Sequence, residues 1–417
     1  MSDCCSAPGL MPLEEGLSRL INETTAVTDI ERINMQFCLD RVLAKDVVSP
    51  VNVPSHNNSA MDGYALRLAD LENTDSLPLA GNSLAGHPFQ GDMPAGQCVR
   101  IMTGASIPAG ADTVIMQEHT DFCDKSSSGA TVQFLKKPVK TGNNIRLAGE
   151  DIQEGLTVFT AGHRVRPQDL GLLASLGIPE LDVYRRVKVA LFSTGDELKL
   201  PGERLDHGDI YDSNRFAVKA MLNRLGAEII DLGLLKDDRD ELRRAFAEAD
   251  QLADAVVTSG GVSVGDADFV KDVLNEVGET SFWKLAIKPG KPFAFGKLPN
   301  SVFFGLPGNP VSATVTFQQL AIPALLHMMG AKPEPGIELK AICRTSLKKQ
   351  PGRKDFQRGI VSTNDDGQLE VVTTGSQGSG ILRSMSMANC YIVLPTSQGN
   401  VDAGETVTVQ MFDRALF

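Results

Sequence analysis

Basic residues are in short supply. The 417-residue chain carries 40 Lys and Arg against 52 Asp and Glu, a net charge of -12. Binding nucleic acid in general needs a basic face that displaces counterions, so this balance argues against a nucleic-acid partner and confines any anion site to a local cluster. Long hydrophobic runs are missing too. No apolar stretch approaches the ~18 residues of a membrane span, and Met1 to Gly9 lacks the basic and apolar pattern of a secretion signal. The cysteines, at positions 4, 5, 38, 98, 123, 343 and 390, are odd in number, with no C-x-x-C and no Cys/His group at zinc spacing. A disulfide framework and a structural zinc are thereby excluded, and a soluble protein of the reducing cytoplasm with no membrane partner is expected. Apolar content is ordinary, at 42% hydrophobic and 22% charged, which excludes disorder. The length suggests about three domains.

Periodicity divides the chain. Leu13, Leu17, Leu20 and Ile21 have helical spacing, and Ile33 to Val48 is also expected to be helical. From Pro50 to Arg146 short β-like runs (Cys98 to Met102, Thr113 to Gln117, Thr131 to Phe134) alternate with Gly/Pro turns, with a polar loop at Asp124 to Gly129. A helix returns at Pro167 to Gly177, so residues 50–146 are expected to be a β-rich module inserted in a discontinuous helical domain of residues 10–49 and 147–186. Residues 187–332 alternate strand and helix, the pattern of a doubly wound parallel α/β domain. A Pro-rich linker, Gly330 to Gly336, then leads to β-patterned segments, and residues 333–417 are expected to form a small β-barrel.

In an open parallel sheet, ligands lie beyond the carboxyl ends of the strands. Four predicted strands end in polar, Gly-bearing turns: Thr194-Gly195-Asp196-Glu197 after Ser193, Gly260 to Asp268, Lys288-Pro289-Gly290-Lys291, and Pro307-Gly308-Asn309-Pro310. The Gly260 loop leads into a helix, so its amides can cradle a phosphate. It lacks the Walker lysine, because Asp266 stands there, and it does not match G-x-G-x-x-G. Phosphate-binding backbone beside carboxylates suits a phosphate carrying magnesium, although a tight turn before a solvated helix has the same composition. Charge is also partitioned: residues 231–279 hold 13 acidic and 5 basic residues, whereas residues 280–333 hold five lysines and no Asp or Glu. Lys284 and Lys288, four apart on a predicted strand, are expected on one face, where they can meet an oxyanion. Asn309-Pro310 is expected to start a helix as N-cap and first-turn proline. In the β-rich module, Asp62-Gly63 is the ordinary hairpin turn signal, and the segments around Thr103 and Arg146 are turn-like on composition alone.

At these residues the sequence resembles the molybdopterin molybdenumtransferase family along nearly its whole length. The shared motifs, in the family's order, are NSAMDGYA at 58–65, RIMTGA at 100–105, NIR with GED at 144–151, FSTGDEL at 192–198, SGGVSVGDAD at 259–268, WKLAIKPGKP at 283–292 and GLPGNPVSA at 305–313. The chain departs from it at Asn57, where the family commonly has Asp, and at Leu147-Ala148, where relatives can carry further arginines. The resemblance implies a homodimeric enzyme that inserts molybdate into adenylylated molybdopterin and releases AMP, with the adenylylating enzyme of the preceding step as a further partner. It implies catalytic roles for Asp62, Thr103, Glu197 and Asp268, and magnesium on Asp196, Glu197 and Asp268. Substrate contacts would come from Ser193, Thr194, Gly195, Gly260, Gly261, Ser263, Gly265, Lys284, Lys288, Pro307, Pro310 and Arg146. Two alternatives share parts of the pattern: a non-catalytic scaffold built on the same fold, and the adenylylating enzyme, which resembles only about residues 187–330.

Overall fold

The structure, a computed structural model, describes residues 9–121, 130–138, 140–260, 269–333 and 336–412. The loop expected at 124–129 lies outside them. At the centre is a six-stranded sheet in the order Glu228–Leu235, Lys188–Thr194, Ala255–Ser259, Val302–Leu306, Pro292–Lys297, Glu279–Lys284. The first four strands are mutually parallel, and Pro292–Lys297 runs antiparallel to both of its neighbours, so Glu279–Lys284 again points the same way as the first four. The short links 285–291 and 298–301 cannot carry a crossover, which needs a dozen residues or more, so this edge folds back on itself.

Alternation along Lys188–Thr194 explains the layers. Val189 and Leu191 enter a core with Val218 and Leu222 of helix Asn214–Leu225 and Val311 and Val315 of helix Pro310–Thr316. Ala190 and Phe192 face the other way, onto Leu242 and Phe246 of helix Arg239–Leu252 and Val273 of helix Phe269–Val277. Both faces are covered, as a buried parallel sheet requires. Helix Arg239–Leu252 starts where Asp238 accepts a hydrogen bond from the Glu241 amide at 2.8 Å, a side-chain cap.

Helix Leu13–Glu23 forms at the expected spacing and buries Leu13 and Leu20 in the central core. The helix expected over Ile33 to Val48 does not form. Its place is taken by strand Ile30–Asn34, a short 3-10 turn Met35–Phe37 and strand Val47–Val48. Asp40 has φ +61°, a left-handed conformation that a right-handed helix cannot contain. Strand Ile30–Asn34 pairs antiparallel with Glu180–Tyr184, and one small core joins Leu43 and Val47 to Val165, Leu173 and Val183. Both flanks of the inserted module thus build a mixed unit in which pairing across the chain decides the structure of Ile33 to Val48.

The inserted module is a five-stranded sheet in the order Thr113–Met116, Gly63–Leu66, Cys98–Ile101, Ser76–Ser83, Thr131–Gln133. At the carboxyl end of the chain, Lys354–Thr363 pairs with both Leu369–Thr373 and Cys390–Leu394. With Glu338–Cys343 and Thr406–Met411 this closes a barrel. No helix among the described residues is long and apolar enough to cross a membrane.

Gly63 starts a strand rather than a hairpin turn. A Cβ there would lie 2.0 Å from the Ile115 carbonyl oxygen, a backbone atom that cannot move without breaking the sheet. Gly63→Ala is expected to destabilise the protein by about 3 kcal/mol, read as a lower thermal midpoint. Gly171→Ala, in helix Pro167–Ser175 with nothing within 4 Å of the added Cβ, is the control and is expected to be neutral or slightly stabilising.

Candidate functional site

Three strand-end turns of the parallel sheet meet at its carboxyl edge. Gly260 has φ +96°, and a Cβ on it would lie 2.6 Å from the Thr194 carbonyl oxygen. Only glycine lets these two turns touch. The Gly260 amide donates to the Leu306 carbonyl at 3.3 Å, which brings the Pro307 turn to the same place. Gly195, at φ +152°, would push a Cβ against the Glu197 carboxylate, 2.7 Å away. Asp196 and Glu197 are exposed beside it. Gly261, Ser263, Gly265 and Asp268 lie outside the described residues.

The side chains beneath this edge are spent on holding it. Ser193 is buried and its hydroxyl donates to Asp212 at 3.1 Å, so it faces a structural carboxylate rather than a ligand. The Thr194 hydroxyl donates to Asp237, whose amide donates to Asp196 at 3.3 Å. Asp237 follows the strand Glu228–Leu235, a fifth strand end that the same rule would have picked out. Asn214 donates to the Ser259 hydroxyl at 2.8 Å and to the Gly308 carbonyl at 2.7 Å. No strand-end pattern points to Asn214, because it opens a helix.

The lysines are arranged differently from the expectation. Lys284 ends a strand of the central sheet, whereas Lys288 lies in Ile287–Lys288, which pairs with Lys354–Asp355 of the barrel. A shared face requires an uninterrupted strand, and this one leaves one sheet for another at Leu285 and Ala286. Nor is the acid-free segment acid-free in space. Lys288 approaches the buried Asp355 carboxylate at 3.4 Å, and Lys297 approaches Glu23 at 3.8 Å. At the Pro307–Pro310 turn Pro310 occupies the first helical turn, but Asn309 makes no side-chain cap bond. The Val311 amide donates to the Ser379 carbonyl at 3.0 Å, tying this turn to the barrel region.

In the inserted module three separated motifs converge. Asn58–Ser59 pairs with Ile145–Arg146, and the Gly104 amide donates to the Ser59 carbonyl at 2.8 Å. Asp62 accepts hydrogen bonds from both the amide and the hydroxyl of Thr103, each at 2.7 Å. These bonds, the amide's first, hold the Asp62 carboxyl below the usual aspartate range. Asp62, Thr103 and Arg146 are all exposed at this corner. Turn composition alone does not single it out, because the pairing that assembles it joins Asn58 to Arg146, far apart in the chain.

Thr103→Val keeps the amide bond and removes the hydroxyl. The Asp62 midpoint, followed by carboxyl-carbon NMR, is expected to rise part of the way toward that of a free aspartate. The carboxylate tie is present above the unfolded pKa and is lost as pH falls through the lowered folded one, so in the variant it is lost at higher pH. An unchanged midpoint would show that the amide alone sets it.

Residues 11–177 match the family described as MoeA N-terminal region (domain I and II), residues 190–327 the "Probable molybdopterin binding domain", and residues 340–412 the MoeA C-terminal region (domain IV). A molybdopterin molybdenumtransferase of Haemophilus influenzae is 50% identical over 408 residues, covering 98% of this chain and 100% of that one. One from Bacillus subtilis is 32% identical over 405 residues, covering 96% and 93%. The fold is similar to a crystal structure of the molybdopterin biosynthesis moeA protein of Pyrococcus horikoshii, with a TM-score of 0.81 and 28% identity over 97% of this chain and 100% of that one. Matched along nearly its full length in sequence and in fold, the chain belongs to the molybdopterin molybdenumtransferase family.

Proposed function

We propose that this chain transfers molybdenum from molybdate to adenylylated molybdopterin, releasing AMP, at the carboxyl edge of its parallel sheet. The observation that carries this reading is the convergence of the Thr194, Gly260 and Pro307 turns, packed so closely that Gly260 rests on the Thr194 carbonyl. Backbone amides at such an edge suit a pyrophosphate. Lys288, steadied by Asp355, and Lys284 serve the oxyanion, with the amides of the turn that carries Pro307 and Pro310 assisting. Water adds across the pyrophosphate bond between AMP and the pterin phosphate, which breaks, while the dithiolene sulfurs, soft donors suited to molybdenum, replace two molybdate oxygens that leave as water.

Magnesium is part of the proposal, on Asp196 and Glu197 with Asp268. The two described carboxylates fit it, being exposed, oxygen-only and beside the phosphate turn, since magnesium accepts one or two carboxylates and completes its shell with phosphate and water. Bound there, it would neutralise phosphate charge as AMP departs. Among the described residues no three Asp, Glu, His or Cys side chains converge as a metal site, so phosphate oxygens would have to complete this one.

The matches to residues 11–177 and 340–412 favour this reading over the adenylylating alternative, whose resemblance is confined to the α/β region. The test is AMP release when the purified protein meets adenylylated molybdopterin, magnesium and molybdate. Release is expected, and Lys288→Gln is expected to need about tenfold more molybdate, the worth of roughly 1.4 kcal/mol, while nucleotide affinity stays the same. No release from the unaltered protein would leave the scaffold alternative standing.

The homodimer is likewise proposed, with Asp62, Thr103 and Arg146 of one protomer serving the sheet edge of its partner. Refolding inactive Asp62→Ala protein together with inactive Asp268→Ala protein, in equal amounts, makes half the dimers mixed. Each mixed dimer has one intact site, so activity is expected to return to roughly a quarter of wild type. If each site lay within one chain, the mixture would stay dead even with mixed dimers present.

A further inference from the structure

Backbone pairing between Ala255–Ser259 and Val302–Leu306 stops where the site begins. Ser259 is in register with Leu306, and the Gly260 amide to the Leu306 carbonyl, at 3.3 Å, is the last backbone bond between these two segments among the described residues. A side chain adds a second tie between the end of this strand and the Pro307 turn. Asn214 supplies it, its single amide nitrogen donating to the Ser259 hydroxyl at 2.8 Å and to the Gly308 carbonyl at 2.7 Å. Because a carboxamide is planar and carries its two hydrogens at a fixed angle, these bonds set a separation as well as a contact.

Asn214 is itself held. The preceding Asp212 is buried and accepts from the Ser193 hydroxyl, from the Arg215 amide at 3.2 Å and from Arg215 Nε at 2.9 Å. Arg215 Nη1 in turn contacts both Asp231 carboxylate oxygens, at 2.8 and 2.9 Å. The helix start is therefore moored to two strands, Lys188–Thr194 and Glu228–Leu235, while Asn214 reaches across to the turns of two others. The residue type is not explained by the helix. Asparagine is a mediocre helix former, and here its side chain bonds to the end of one strand, at Ser259, and to the turn after another, at Gly308. Aspartate has the same shape without donors, and glutamine is one methylene too long.

We infer that Asn214 is a positioning residue that fixes the distance between Ser259, the strand end from which the proposed nucleotide-phosphate loop springs, and the proposed oxyanion turn at Gly308, and so the relative placement of the two substrates. This rests on the function proposed above. Asn214→Ala and Asn214→Asp both remove the donors. The carboxylate of the latter suits a helix N-terminus, so it should fold even if the alanine variant does not. In both, kcat for AMP release is expected to fall about 10²-fold, as for reactants misplaced by about 1 Å. Dissociation constants for AMP alone and molybdate alone should stay within about threefold in Asn214→Ala, on the same footing that positioning rather than binding is lost. Asn214→Asp alone should weaken AMP, through its added charge.

A merely structural residue would instead lower the melting temperature and weaken both ligands, leaving kcat at saturation intact. That result, or wild-type kcat in Asn214→Asp, overturns the inference. Should the unaltered protein release no AMP, the parent reading fails, and the tie is still decided by hydrogen exchange. The Gly260 and Gly308 amides are expected to exchange faster in Asn214→Asp, and unchanged protection would refute it.

Discussion

The site depends on a buried ion pair just below it. Asp212 and Arg215 are 2% and 7% exposed, and between them they engage Ser193 on one strand and Asp231 on the next. Burial works against the charge on Arg215, but the two aspartates more than offset it and hold its pKa above the ordinary arginine value. Removing one partner from such a pair typically costs 3–5 kcal/mol, because the other is left charged without water. A parallel sheet cannot order its own carboxyl edge, since its ladder ends there. The ion pair extends order past the last ladder bonds, and the turns at Thr194, Gly260 and Gly308 inherit it.

Much of this was legible in the sequence where the signal is local. The strand that ends before Gly260 and the helix from Pro167 follow from alternation and the fixed φ of proline. Strand-end reasoning likewise found the turns at Gly195, Gly260 and Pro307. It failed where distant pairing decides. Ile33 to Val48 reads as helical despite its mixed apolar spacing, but the partner of Ile30–Asn34 lies at Glu180–Tyr184, and Asp40 breaks any helix between. Lys284 and Lys288 look like neighbours on one strand, yet the chain changes sheets between them. Charge partition along the chain missed Asp355, which comes from the barrel to meet Lys288. The family motifs around Asp62, Thr103 and Arg146 pointed to a corner whose assembly no local rule describes.

The barrel is accordingly more than a terminal appendage. Its strand Lys354–Thr363 takes Ile287–Lys288 as a neighbour, its buried Asp355 steadies a lysine of the proposed oxyanion site, and the Ser379 carbonyl occupies the Val311 amide at the Pro307–Pro310 turn. At the opposite edge of the sheet Arg185 grips Asp254 through two bonds, at 2.7 and 2.8 Å, and Asp29 at 2.8 Å, fastening the mixed unit to the central one. The α/β layers are thus braced at both ends by segments from outside them.

The inserted module enters and leaves through adjacent strands. Val48 pairs with Thr157, and Val53 with Ile152. Residues bridged in this way lie about 5 Å apart at their Cα atoms. Cutting the chain after Val53 and before Ile152 would leave two ends that a short turn could rejoin, with the Leu43–Val183 core untouched. The module is therefore a cassette in the genetic sense: one insertion between Val53 and Ile152 suffices to add it to a fold whose own core it does not enter.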